Sequence, residues 1–158
     1  MRKRIIDESP RTSPPPTGEG WLDLDTLALV EVTSEEPEHP IESALVGGGE
    51  SGWLASRPGE QVVRVVFDAP RSLRRIRLLF EEGGRGRTQE FALSWSPDGG
   101  RTYREVVRQQ YTFSPQGTTE EAEEYRVDLG GVTTLELRII PDIGGGDARA
   151  SLKQLRLA

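Results

Sequence analysis

The second half of the chain alternates apolar and polar positions. In QVVRVVFDAP, residues 61–70, Val63, Val65 and Phe67 share one side of an extended backbone, and Pro70 ends the run. In SLRRIRLLF, residues 72–80, Ile76, Leu78 and Phe80 fall on one side and Arg75 and Arg77 on the other. EFALSWS sets Phe91, Leu93 and Trp95 against Ala92, Ser94 and Ser96. YRVDL alternates Tyr125, Val127 and Leu129, TLELRII alternates Leu135, Leu137 and Ile139, and SLKQLRLA ends on Leu155 and Leu157. Upstream, LALVEVTS puts Leu27, Leu29 and Glu31 opposite Ala28, Val30 and Val32. A period of two marks a strand with one buried face, because successive side chains point to opposite sides. Turn signals separate the runs: SPDGGR at 96–101, LGGV at 129–132 and IGGGDA at 143–148. Glycine there supplies the positive φ that tight turns need. No run of ten or more residues shows a 3.6-residue period. The pattern predicts an all-β protein, an antiparallel β-sandwich of jelly-roll topology with about eight strands.

Composition divides the chain in two. Residues 1–20 contain SPRTSPPPTGEG, too poor in apolar side chains to offset the entropy of ordering, and are expected to form a disordered proline-rich arm. Residues 21–158 are the expected domain. There is no cysteine, which excludes disulfides, thiolate nucleophiles and cysteine zinc sites and points to a reducing, cytoplasmic setting. The basic start MRKRIIDESP has no apolar segment after it, and no stretch approaches the length of a membrane span. The net charge of −6 argues against general affinity for nucleic-acid backbones.

Four segments share an order with one known family. ESALVGGGESGWLAS, RVVFDAPRSLRRIRLLF, FALSWSPDGGRTYREV and ASLKQLRLA resemble successive elements of the discoidin, or coagulation-factor type C, domain, with Tyr103 where that family usually has tryptophan. The resemblance spans roughly residues 25–158 and implies a galactose-binding-like jelly roll. It further implies a non-catalytic module that binds its ligand through loops at one end of the sandwich. Many members of the family hold a structural calcium beside the loop that corresponds to 45–53. Here the acidic residue of that loop is missing, and the one usual in the last strand is replaced by Lys153–Gln154. Calcium takes roughly six to eight oxygens, so Glu50 and Ser51 remain only as weak candidates and no cofactor is expected. Trp53 reads as a core residue under the loop rather than a sugar platform.

Candidate binding residues follow from the loops. His39, the one histidine, lies in EEPEHPIES, the first long loop, where it could hydrogen-bond a sugar hydroxyl. Arg85 and Arg87 in EEGGRGRTQE offer planar, bidentate donors among glycines that let backbone approach a ligand. Tyr111 and Phe113 lie in QQYTFSPQGTTEEAEEY, residues 109–125, read as the longest irregular stretch of the domain. Their rings could stack on sugars, or fill the core beneath. One histidine flanked by prolines does not support a serine triad, and no P-loop, dinucleotide fingerprint or histidine zinc motif occurs. Asp23 with Asp25, and Asp142 with Asp147, are carboxylate pairs without a second motif. The expected function is therefore a non-enzymatic module binding carbohydrate through loops around 34–40, 82–89 and 110–118. The alternatives are a cytoplasmic protein-interaction or assembly domain and, further off, a DNA-break binder.

Overall fold

The structure, a computed structural model, describes residues 20–46 and 51–158. The expected arm over 1–20 lies outside these apart from Gly20, and so do residues 47–50 of the glycine loop. Eight strands carry the described fold. They are β1 (Ala28–Val32), β2 (Trp53–Leu54), β3 (Gln61–Glu81), β4 (Arg87–Ser96), β5 (Arg104–Phe113), β6 (Glu120–Ile140), β7 (Ser151–Leu152) and β8 (Gln154–Leu157). Every pairing between them is antiparallel. This is the antiparallel β-sandwich that the alternation predicts.

The two long strands, β3 and β6, build both layers. In one layer the first half of β3 pairs with β1 and with the second half of β6, and the order continues through β4 to β5 at the edge. In the other, the second half of β3 lies between β8 and the first half of β6. The passage between layers corrects two expectations. Pro70 does not end a strand and LGGV does not make a turn. The register of β3 on β6 slips between Val66 and Arg71 and again before Arg75. Pro70, which donates no ladder hydrogen bond, lies in the first slip, and Gly130 and Gly131, the latter at φ +71°, lie in the next, across from Ser72. Paired strands bend together at these sites without parting.

The core fills the space between layers. Val63, Val65, Phe67, Ile76, Leu78 and Phe80 of β3 are buried, as are Phe91, Leu93 and Trp95 of β4 and Leu135, Leu137 and Ile139 of β6. The Phe80 and Phe91 rings meet across the layers with centroids 5.2 Å apart. Burying so many aliphatic and aromatic side chains contributes roughly 1.5–3 kcal/mol each, the dominant favourable term.

Residues 109–125 are not irregular. They complete β5, turn over 114–119 and begin β6. β5 pairs with β4, placing Tyr111 opposite Gln89 and Phe113 opposite Arg87. Two one-turn helices, α1 (Leu24–Leu27) and α2 (Glu42–Leu45), sit beside the sheets. Asp23 caps α1 by accepting from the Asp25 N–H at 3.2 Å.

Candidate functional site

Four segments meet at one end of the sandwich: the turn 36–39, the loop 82–86 between β3 and β4, the turn 114–119, and the run 141–149 before β7. Each is tied to another. Glu36 pairs with Arg149. Arg85 pairs with Asp147 at 2.8 Å. The Glu82 N–H donates to the Thr119 carbonyl at 2.8 Å, and Ile143 N–H to the Thr88 carbonyl at 2.8 Å. The turn 36–39 is pinned to β2: Leu54 N–H donates to the His39 carbonyl and Glu36 N–H to the Leu54 carbonyl. Trp53 is almost wholly buried and donates its indole N–H to the Ser34 carbonyl at 2.9 Å. It anchors the first loop from below, as its core reading implies.

Between the turn 36–39, the start of the loop 82–86 and strands β2 and β7 lies a cleft of about 250 Å³, to which the turn 114–119 contributes no lining residue. Its polar lining is His39, Glu81, Glu82, Arg149 and Lys153, with Ser51 and Ser151. Its apolar lining is Trp53, Leu54 and Leu152. The cations have carboxylate partners: Arg149 pairs with Glu36, and Lys153 lies 3.6 Å from Glu81. Glu82 is held by Arg87 at 2.6 Å. Burial pushes the Glu82 carboxyl up, but hydrogen bonds from Arg87 and the Gly84 N–H outweigh it and leave Glu82 below the usual carboxylate range. The His39 imidazole lines the cleft and has no hydrogen-bond partner among the described residues. The result is a nearly neutral pocket of donors and acceptors over an apolar base.

The residues singled out from sequence divide. His39 and Ser51 line the cleft. Arg85 is on the adjoining rim, exposed and paired with Asp147. Arg87 is not a surface donor. Its side chain is 1% exposed and its N–H groups go to Glu82, to Gln89 Oε1 at 3.0 Å and to the Pro141 carbonyl at 2.7 Å. It acts on the cleft by holding Glu82. Phe113 is likewise interior, with the Arg87 guanidinium 4.8 Å above its ring and Tyr111 edge-on at 5.1 Å. Tyr111 is half-buried and donates its hydroxyl to the Glu120 carbonyl at 2.8 Å. These aromatics fill the core because residues 109–113 are strand, where alternate side chains turn inward.

Glu50 lies outside the described residues. Gly52, at φ +68°, packs so closely on β7 that a Cβ would sit 2.7 Å from the Leu152 carbonyl oxygen and 2.9 Å from Lys153 Cα. That contact brings the backbone of Leu152 and Lys153 against Gly52. No group of three His, Asp or Glu side chains that could hold a metal occurs among the described residues.

Sequence reasoning missed Glu81, Glu82, Arg149 and Lys153 as cleft residues. The signal for the two glutamates was the EE that opens the same glycine-rich loop as Arg85. Arg149 and Lys153 carried none, because only the pairing of β2 with β7 brings them to His39.

No curated protein sequence matches the chain closely enough to count as a relative. Among solved structures it is similar to CBM32-3 of a family 31 glycoside hydrolase from Clostridium perfringens, with a TM-score of 0.67 and 18% identity over 92% of this chain and 98% of that one. It is similar to the CBM32-1 and CBM32-2 domains of Clostridium perfringens ZmpB in complex with GalNAc, with a TM-score of 0.60 and 18% identity over 87% of this chain and 35% of that one. It is also similar to the CBM32 of AlyQ in complex with 4,5-unsaturated mannuronic acid, with a TM-score of 0.55 and 18% identity over 84% of this chain and 95% of that one. These likenesses confirm the sandwich. The sequence signature of the F5/8 type C domain matches residues 29–153, most of the chain, and the protein belongs to that family.

Proposed function

We propose that this chain is a non-catalytic carbohydrate-binding module that holds an uncharged sugar in the cleft beside His39. The observation that carries the reading is the make-up of that cleft: His39, Glu82, Arg149 and Lys153 around Trp53, Leu54 and Leu152 at the loop end of the sandwich. A sugar presents hydroxyls that donate and accept around an apolar ring face; the polar rim meets the hydroxyls and the part-exposed Leu54 meets the ring. The family and the carbohydrate-binding modules that share the fold support the same reading. The pairing of Arg149 with Glu36 and of Lys153 with Glu81 leaves no net positive charge for a uronate, so neutral sugars are favoured over acidic ones. His39 accepts or donates one hydroxyl bond, and Glu82, fixed by Arg87, accepts another.

The test is a glycan array followed by thermal shift, since a ligand that prefers the folded state raises apparent stability. Neutral hexoses and N-acetylhexosamines should shift the melting point at millimolar concentration, and His39→Ala should abolish the shift while leaving the melting point of the free protein unchanged. Absence of binding to every neutral glycan would refute the reading.

A further inference from the structure

A second cavity, of about 550 Å³, lies away from the cleft, beside α1 and the last strand. Volumes of about 300–1,000 Å³ are usual for small-molecule sites. Its apolar wall is Trp21, Leu22, Leu24, Leu45 and Val46. Its polar groups are one guanidinium, Arg156, and two carboxylates, Asp23 and Asp25.

Arg156 is unusual for a buried cation. It is 8% exposed and makes no ion pair with any described residue. Its hydrogen bonds go only to main-chain carbonyls: Nη1 to Ala44 at 2.9 Å and Leu155 at 3.1 Å, and Nη2 to Val46 at 3.3 Å. A guanidinium has five N–H donors, so two remain for a ligand. Its cross-strand neighbour in the β3–β8 register is another cation, Arg77. Burial, and then Arg77, hold the Arg156 guanidinium below its usual range. A buried charge without a counter-ion is costly, and a carboxylate bound there offsets that cost.

The aspartates restrict what that anion can be. Asp23 is occupied in part by the Asp25 N–H, whereas the exposed Asp25 carboxylate accepts no hydrogen bond from the described residues. Two carboxylates on the same cavity repel a bare multivalent anion. They favour a ligand that brings its own cation beside its carboxylate. The buried guanidinium takes the carboxylate, the exposed aspartates take the ammonium, and five apolar side chains receive the rest.

From this juxtaposition we infer that the cavity binds a free α-amino acid with an apolar side chain, carboxylate on Arg156, ammonium on Asp25 and side chain on the Trp21–Leu45 wall. This site is separate from the sugar cleft and does not rest on that reading.

Titration calorimetry on the full chain tests it, with L-leucine and L-phenylalanine as ligands and N-acetyl-L-leucine, L-leucinamide and acetate as probes. Leucine should bind. Blocking either charge should weaken binding by roughly tenfold or more, the effect of losing one charge-assisted hydrogen-bonded pair. Arg156→Met should abolish binding. Because Arg156 also holds the carbonyls at the end of α2, the exposed Asp25→Asn is the companion variant, and it should weaken leucine by a similar factor with an unchanged melting point. Saturating neutral sugar and His39→Ala should leave leucine binding unaltered. The inference is overturned if neither amino acid binds, or if acetate, N-acetyl-leucine or leucinamide binds as well as leucine.

Discussion

Replacing Glu121 by glutamine is expected to stabilise the protein at neutral and alkaline pH. Glu121 is the second residue of β6, opposite Phe80, and is 2% exposed. Neither of its carboxyl oxygens has a hydrogen-bond donor. Glu123 follows two residues on and so faces the same side, where it accepts from Gln109 Nε2 at 3.0 Å. Tyr125 completes the row by donating its hydroxyl to Gln109 Oε1. Burial, and then the neighbouring Glu123, push the Glu121 carboxyl from its ordinary value of 4.5 up to about 7. The folded protein therefore keeps a proton that the unfolded chain has already released between these two values. Stability linked to this group is fully present below about pH 4.5, falls as pH rises, and is lost above about pH 7. At about 1.4 kcal/mol per pH unit the loss amounts to about 3 kcal/mol, an upper bound if water reaches the ionised group. Glutamine cannot ionise and should remove the slope. The assay is urea denaturation of both proteins at intervals from pH 4.5 to 8.5. The wild-type curve should descend relative to the variant and then level. A difference that stays constant across the range would show that Glu121 is ionised when folded and refute the reasoning.

Other consequences are equally direct. Gly52→Ala should cost about 2–4 kcal/mol in denaturant unfolding, from strain at positive φ together with the clash on β7. Trp53→Ala, which opens the core and orphans the Ser34 carbonyl, should cost about 3–5 kcal/mol. Arg87→Ala should lose both stability, by about 3–5 kcal/mol, and sugar affinity, because it leaves Glu82 without its partner at the cleft. Tyr111→Phe, tested in the same binding assay, should keep sugar affinity, since its hydroxyl serves the Glu120 carbonyl inside the hairpin.

The fold was legible because a sandwich writes itself into period two. Val63, Val65 and Phe67, or Leu135, Leu137 and Ile139, announce their buried face without reference to any partner. The bends were not legible. Pro70 and Gly130–Gly131 look like terminators when each strand is read alone, and become neighbouring bulges only when β3 pairs with β6. The stretch 109–125 misled for a related reason. Besides Phe113, its inward positions are Gln109, Tyr111, Glu121, Glu123 and Tyr125, polar residues of which Gln109 bonds both Glu123 and Tyr125, so the alternation is hidden from a hydrophobicity reading. At the cleft, His39 was legible as a lone histidine in a long loop. Arg87 has the composition of a ligand donor but the environment of a core cation, and sequence cannot tell these apart. Arg149 and Lys153 reach the site only through a two-residue strand pair.

The most direct test of the proposed sugar site is an amide-resolved NMR titration of the labelled chain with galactose and N-acetylgalactosamine. Saturable shifts should gather at His39, Glu82, Gly83, Arg149 and Lys153, the residues of the cleft, and be absent from the SPDGGR turn at 96–101. Shifts centred on that turn, or no shifts with any neutral sugar, would contradict the assignment.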